Sequence, residues 1–550
     1  MSNGTLQLPA TPRPQTSTLA QKTVSGFFWL TAQTLGSKLV NMVGQVVLAR
    51  LLLPEAWGLV GEAISISAFA VFIQQAGLRE ILIQRQAHFS RWANPAFWMS
   101  LTLGCLGALV MVILAPVAVW MYEDPRLFGL VLLLALSTPF SGLDIVPDAK
   151  LTTELRFRFL ACIKWLTAVG TMGLSILFAK WGWGAYAFVL PLPLITILRL
   201  VLLWSVARPP IRWHLHFRRW KYLMGDSVTL FLANFCNTVT WYGDYIILGI
   251  MHDAKSVGIY FFAFNLATQT MQVFTQNLIG VLFPALSKLQ DNIVHQTRAF
   301  LRAAELLAII GIPLCLLQAA LAGPAINILF NSWWQPMIRV LQLLSIGMAV
   351  RLVASPGGAL IQAQGRFKTY FVTNALNMVV FLMMVFVGSW LGKLEIQHYQ
   401  ATGNTAAASL LPAARNVAAA VMGYFTIIGP IFLYIAIRPG GGKWGDIWRV
   451  YFAPTVASVI AIGIAIGFGR WIQAMPMKND AVRQVLRIMV ITLWSIVLYI
   501  PIIRIMAPAA FKELLTRLSG FIRAKTDRRS SPPPFLPPAP PPAAVTVQQN

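Results

Sequence analysis

Residues 46–86 read VVLARLLLPEAWGLVGEAISISAFAVFIQQAGLREILIQRQ. One apolar run ends at Arg50, the chain turns at Leu53-Pro54-Glu55, and a second apolar run opens at Trp57 and lasts to Gly77. That second run holds a single acid, Glu62, and is as long as a helix that crosses a bilayer's hydrocarbon, about 20 residues. Working outward, the preceding run fills 24–49, and the same alternation of apolar segment and short polar turn continues along the chain. About 14 segments meet that length: 24–49, 57–77, 95–121, 126–147, 159–179, 183–206, 227–250, 257–283, 300–322, 337–361, 369–391, 414–437, 450–469 and 484–507. The fourth is interrupted by Pro139, Gly142 and Pro147, and the sixth by Pro191 and Pro193. The expected fold class is an all-α polytopic membrane protein.

Composition points the same way. Of 550 residues, 57% are hydrophobic and 11% charged, whereas a soluble domain carries about 25% charged residues. A water-soluble enzyme is excluded. The charge that remains is basic, 43 Lys+Arg against 18 Asp+Glu. In so apolar a chain, that balance belongs to loops on an anionic membrane face rather than to nucleic acid. Alternate connections carry it: Arg79, Arg85 and Arg91; Lys150, Arg156 and Arg158; Arg208, Arg212, Arg218, Arg219 and Lys221; then Lys288 and Arg298, Arg366 and Lys368, Arg438 and Lys443. This asymmetry puts both termini in the cytoplasm, and an even number of spans agrees in placing them on one side. The four cysteines lie apart in apolar runs and the six histidines scatter through loops, so neither a disulfide framework nor a metal or catalytic cluster is expected. No cofactor is expected. Residues 1–23 read as a polar tail ahead of an uncleaved first span. The stretch SPPPFLPPAPPPAA (531–544) reads as an extended proline-rich tail.

The chain also repeats itself. Residues 48–60 (LARLLLPEAWGLV) lie over 248–260 (LGIMHDAKSVGIY) at an offset of 200, pairing Gly58 with Gly258. Spans one and two therefore correspond to spans seven and eight, as in transporters assembled from two repeated bundles.

The LARLL-PE-WG turn and the AGL--ILIQR segment of 46–86 closely resemble the opening of the polysaccharide transporter family, part of the multidrug/oligosaccharidyl-lipid/polysaccharide (MOP) flippase superfamily. LIQAQGRFK (360–368) is similar to a small-residue-plus-GR segment of the same family. The resemblance implies two six-helix bundles meeting in a V, here 24–207 and 227–437, joined by a basic cytoplasmic linker at 208–226. Helices 13 and 14 would follow at 450–507. From the residues themselves, 508–550 reads as a basic, then proline-rich, disordered cytoplasmic tail. The resemblance also implies flipping or export of an undecaprenyl-pyrophosphate-linked glycan across the bacterial inner membrane, with membrane lipids and a polysaccharide polymerase as partners. The proline-rich tail departs from the family pattern.

Charges at bilayer depth are costly and mark function or pairing. Lys38 lies near the middle of the first span, on a polar stripe with Thr34, Asn41 and Gln45 at helical spacing. The seventh span carries Asn234, Asn237, Trp241 and Asp244, and the eighth Asn265, Gln269, Gln272 and Gln276. Three polar-faced helices at repeat-related positions predict a hydrated cavity, with amides for sugar hydroxyls and aromatics for sugar faces; helix-to-helix hydrogen bonding is the plainer alternative. Lys38 and Arg351 are the expected phosphate-side cations, with Arg50 at the outer mouth and Arg79 at the inner one. Arg199 and Arg339 lie close to span ends and are expected to snorkel. No GxxxxGK[ST] motif occurs in the chain, so ion coupling is the expected energy source, with Glu62, Asp244 and Glu305 as candidate carboxylates. Asp244 could instead pair with Lys38, and Asp144 could cap a helix. The competing readings are a multidrug exporter of the same superfamily and, further off, a membrane polysaccharide polymerase.

Overall fold

The computed structural model describes residues 16–74, 78–84, 89–209, 211, 220, 228–287, 289, 292–403, 411–474 and 479–516. Nearly all of them are helical. The first half comprises α1 (Thr16–Leu51), α2 (Pro54–Gln74), a short α3 (Leu78–Gln84), α4 (Phe89–Tyr122), α5 (Arg126–Leu143) continued by α6 (Ile145–Thr153), α7 (Phe157–Lys180), and α8 (Tyr186–Val189) continued by α9 (Pro191–Ala207). The second half comprises α10 (Val228–Met251), α11 (Ala254–Ser287), α12 (Ile293–Leu329), α13 (Met337–Ala354) continued by α14 (Gly357–Ala363), α15 (Phe367–Ala401) and α16 (Pro412–Ile437). Two further helices follow, α17 (Trp444–Ala474) and α18 (Asp480–Met506).

Among the described residues, eleven spans are long and apolar enough to cross a membrane. The three remaining long helices, α1, α10 and α11, are those whose apolar runs are diluted by the polar stripes. The broken spans follow from proline, which lacks an amide hydrogen and clashes with the preceding turn. The fourth divides at Asp144 three residues before Pro147, the sixth at Leu190 before Pro191, and the tenth at Ser355-Pro356. α1 begins at Thr16, ahead of the expected start at residue 24.

Packing follows the repeat. In the first half α4 packs on α5 and α2, and α1 on α7; in the second, α10 packs on α15, α15 on α16, and α13 on α12 and α16. The halves meet where α2 crosses α11, and the crossing has near two-fold symmetry. A β-carbon on Gly58 would lie 1.8 Å from the carbonyl oxygen of Ala254, and one on Gly258 would lie 1.8 Å from that of Pro54. Only glycine allows two backbones this close. The offset of 200 in the sequence is thus a physical contact between equivalent turns.

Around this crossing lies an aromatic cluster. Trp57 meets Phe262 at 4.3 Å, Phe188 at 4.6 Å and Trp334 at 6.0 Å between ring centroids. The Trp334 indole N–H donates to the Ala49 carbonyl at 2.8 Å. This seam closes the end of the bundle that carries the turns at 52–53, 252–253 and 330–336.

A second pair of turns repeats as well. Leu155 (φ 58°) and Gly365 (φ 70°) both adopt left-handed backbone, and each is followed by an Arg-Phe that starts a helix, Arg156-Phe157 and Arg366-Phe367. The GR segment at 365–366 is therefore a helix-reversal device, and Arg366 donates from Nη1 to the Ile435 carbonyl at 3.3 Å.

Inside the first half is a charge network that sequence periodicity does not reveal. Asp144 and Asp148 are each 4% exposed. Arg79 Nε reaches Asp148 Oδ2 at 2.5 Å, and Arg199 lies 3.4 Å from Asp144 and 3.8 Å from Asp148. Arg199 thus pairs rather than merely snorkelling, and Asp144 makes no side-chain cap. Removing one partner of a buried pair costs about 3–5 kcal/mol, and less where a partner reaches water, as Arg79 does. Asp148→Ala should therefore lower the melting temperature of the detergent-solubilised protein by several degrees. Asp124→Ala, which breaks an exposed pair with Arg126, should change it little.

Beyond α18, residues 508–516 are helical, and Ala510, Phe511 and Leu514 pack near Ile309 and Ile503. The start of the basic segment that precedes the proline-rich stretch is thus helical, and those side chains bury apolar surface. The proline-rich stretch, most of the 208–226 linker and the Gln276 side chain lie outside the described residues.

Candidate functional site

The polar stripes converge. Gln269 Nε2 on α11 donates to Gln45 Oε1 on α1 at 2.8 Å, joining the two halves. Lys38 and Asn41 occupy the same face of α1 as Gln45, two turns and one turn away respectively, so that face is turned toward the second half. Lys38 is half-buried and has no ion pair among the described residues.

A cavity of about 680 Å³ opens in the second half. That size falls in the range of roughly 300–1,000 Å³ typical of small-molecule pockets. From α10 it is lined by Asn237, Thr240 and Trp241, and from α11 by Met271, Gln272 and Thr275. The break of the tenth span supplies Arg351, Ser355, Gly358 and Gln362; α15 adds Tyr370, Asn374 and Asn377, and α16 adds Tyr424 and Phe425. The break explains the room: Pro356 interrupts the helix, and Gly358 and Ala359 thin the wall just beyond it.

Arg351 is the centre of the cavity's chemistry. Its guanidinium carbon stands 3.7 Å from the Trp241 ring centroid and 4.5 Å from that of Phe425, a cation–π contact on each ring. Asp244, fully buried nearby, does not form an ion pair with it. The Asp244 carboxylate instead accepts from the Tyr260 hydroxyl at 2.8 Å and from the Tyr245 amide at 3.0 Å. Those two bonds hold it in place, so the expected Asp244–Lys38 pair is not formed. Among the described residues, no protein acceptor takes a hydrogen bond from the Arg351 side chain.

The other expected cations are engaged by the protein. Arg50 donates from Nε to the Leu329 carbonyl at 2.7 Å and from Nη2 to that of Ile328 at 3.0 Å. It therefore caps the end of α12 and staples the seam. Arg79 belongs to the Asp148 network. Neither lines the cavity. Glu62 is 2% exposed and lies at the seam, close enough that a β-carbon on Gly249 would be 3.2 Å from its Oε1. Glu305 is half-buried on α12, with Arg449 and Glu513 as its charged neighbours, and it too is outside the cavity. At the turn beside the seam, Arg126 forks onto Asp124 with 3.0 and 2.6 Å bonds and holds that carboxyl below its ordinary range.

Of the residues expected to line a cavity, Asn237, Trp241, Gln272 and Arg351 stand in the wall of this one, whereas Lys38, Asn41, Gln45 and Gln269 do not, and the α15–α16 wall was not expected. A signal for it was available: Tyr370, Asn374 and Asn377 share one face of α15 at i, i+4 and i+7. Among the described residues no group of three or more His, Cys, Asp or Glu is arranged to hold a metal ion.

Residues 47–339 match the family model described as "Polysaccharide biosynthesis protein". The chain is 25% identical over 338 residues to the succinoglycan biosynthesis transport protein ExoT of Rhizobium meliloti (strain 1021), covering 61% of this chain and 68% of ExoT. It is 23% identical over 468 residues to the lipopolysaccharide biosynthesis protein WzxC of Escherichia coli (strain K12), covering 82% and 89%. In structure it is similar to the lipid II flippase MurJ in an inward closed conformation, with a TM-score of 0.64, 12% identity, and coverage of 85% of this chain and 97% of MurJ.

Proposed function

Because the chain belongs to the polysaccharide biosynthesis protein family, we propose that it is a flippase or exporter that moves a lipid-linked glycan across the bacterial inner membrane by alternating access. The observation that carries this reading is the cavity of carboxamides, phenols and aromatic rings around one arginine without a protein acceptor. Amides and phenols suit sugar hydroxyls, rings suit sugar faces, and a cation suits the anionic part of a lipid-linked substrate. The names of the relatives support it: one is a biosynthesis transport protein, and the structural neighbour is a lipid II flippase.

With both termini cytoplasmic, the glycine–aromatic seam is at the outer end and the cavity faces inward. Alternating access then means parting α2 from α11 as the opposite end closes. The carrier lipid in this reading is undecaprenyl pyrophosphate, with Lys38, on the Gln45 face of α1, meeting its phosphates. The energy source is an ion gradient: Glu62 at the seam is the carboxylate whose surroundings change most on opening, while Asp244 stays bonded within its half. A polysaccharide polymerase acts on the delivered units, and the chain itself transports rather than polymerises.

Charge reversal tests the cation's part in this. Lys38→Glu should cut export of lipid-linked glycan by about tenfold or more, since one close like-charge contact costs a few kcal/mol in a poorly solvated cleft. Unchanged export would favour the multidrug-exporter reading. The reading as a whole is tested by deleting the gene and locating lipid-linked repeat units. Accumulation on the cytoplasmic leaflet is expected, and normal outward passage would refute it.

A further inference from the structure

We propose that the Arg351 cavity recognises a carboxylate carried on a sugar, so that the glycan handled by this chain is acidic; this deepens the transport reading above and rests on it. Three observations lead there. First, the guanidinium carbon lies within cation–π distance of both Trp241 and Phe425, and the guanidinium hydrogen-bonds through its in-plane N–H edges. Those edges form the fork that fits a carboxylate bidentately.

Second, the nearest candidate acid is not available to fill that fork. Asp244 is held by Tyr260 and the Tyr245 amide and makes no ion pair with Arg351. A foreign carboxylate would therefore find the edge unoccupied. Third, the rest of the wall suits sugar and not pyrophosphate. Among the described residues that line the cavity, Arg351 is the one cation. A pyrophosphate carries more than one charge and calls for several cations or a helix N-terminus. A sugar carboxylate carries one charge, which one guanidinium matches, while Gln272, Gln362, Asn374 and Asn377 are placed for neighbouring hydroxyls. In the reading above, Lys38 on α1 is left for the phosphates.

The test is calorimetric binding by the full chain in detergent of three probes: an oligogalacturonate, its neutral methyl ester, and farnesyl pyrophosphate. The wild type should bind the acid about tenfold or more tighter than the ester, as one bidentate charged contact implies. Arg351→Gln should bring the acid and the ester to nearly equal affinity and leave farnesyl pyrophosphate binding unchanged. Arg351→Lys, which keeps the charge and loses the fork, should retain only part of the preference, and it serves as the reporter if the glutamine variant does not fold. Equal affinity of the wild type for acid and ester overturns the proposal. So does a preference that survives Arg351→Gln, or loss of farnesyl pyrophosphate binding in that variant, which would assign the arginine to the carrier. If the acid is preferred but vesicles show no translocation, the transport reading falls and the binding assignment stands.

Discussion

Replacing Gly58 with leucine should all but abolish translocation while leaving a folded protein. The β-carbon alone would lie 1.8 Å from the Ala254 carbonyl oxygen and 3.1 Å from the Gly258 nitrogen. Both obstacles are backbone, so neither can rotate aside as a side chain would. α2 must then stand away from α11, and the Trp57–Phe262–Trp334 cluster loses its fit. Overpacking of this kind costs about 1–3 kcal/mol where side chains can yield, and more against backbone. A cost of 3 kcal/mol lowers the population of the seam-closed state by about a hundredfold.

By the local symmetry Gly258→Leu should do the same, since its β-carbon meets Pro54 in the same way. The double variant should be scarcely worse than either single one, because both remove the same contact. Distances between spin labels at Glu55 and Lys255 should show a short population in the wild type that is lost in all three variants. A leucine variant that keeps both the short distance and wild-type transport would mean that the seam does not gate.

Arg351→Gln is expected to reduce translocation by about tenfold to a hundredfold, again without unfolding the protein. Glutamine keeps polarity but is shorter, and it loses the charge, the fork and both ring contacts. A charge-assisted hydrogen bond is worth about 1.5–3 kcal/mol, and the loss of one gives that range. Asp244 should tolerate the change, since Tyr260 and the Tyr245 amide keep its oxygens bonded. Thermal unfolding in detergent separates loss of function from loss of fold. If transport is unaffected, the arginine serves only to fill the space between Trp241 and Phe425.

The architecture was legible because bilayer thickness sets a length that apolar runs must meet, and because proline breaks helices where it stands. The repeat was legible at Gly58 and Gly258, where two backbones touch and only one residue type fits. The site was half legible. Helical spacing put Lys38, Asn41 and Gln45 on one face of α1, and the Gln45–Gln269 bond shows where that face points. Spacing along one helix carries no information about partners on another. For that reason the bonds of Arg50 to the carbonyls of Ile328 and Leu329 were not legible. Arg79, Asp148 and Arg199 were likewise read one at a time, although the fold brings them together from α3, α6 and α9. The α15–α16 wall of the cavity was overlooked for a simpler reason: its amides are outnumbered by apolar neighbours.

The most direct test of the whole account is a leaflet assay with the purified chain in sealed vesicles containing a lipid-linked acidic oligosaccharide. A membrane-impermeant glycosidase added outside reports which sugars are exposed. With the wild-type chain and an imposed ion gradient, sugars first protected on the inner leaflet should become accessible, and Gly58→Leu should hold them protected. Continued protection of those sugars in vesicles bearing the folded wild-type chain would contradict the account.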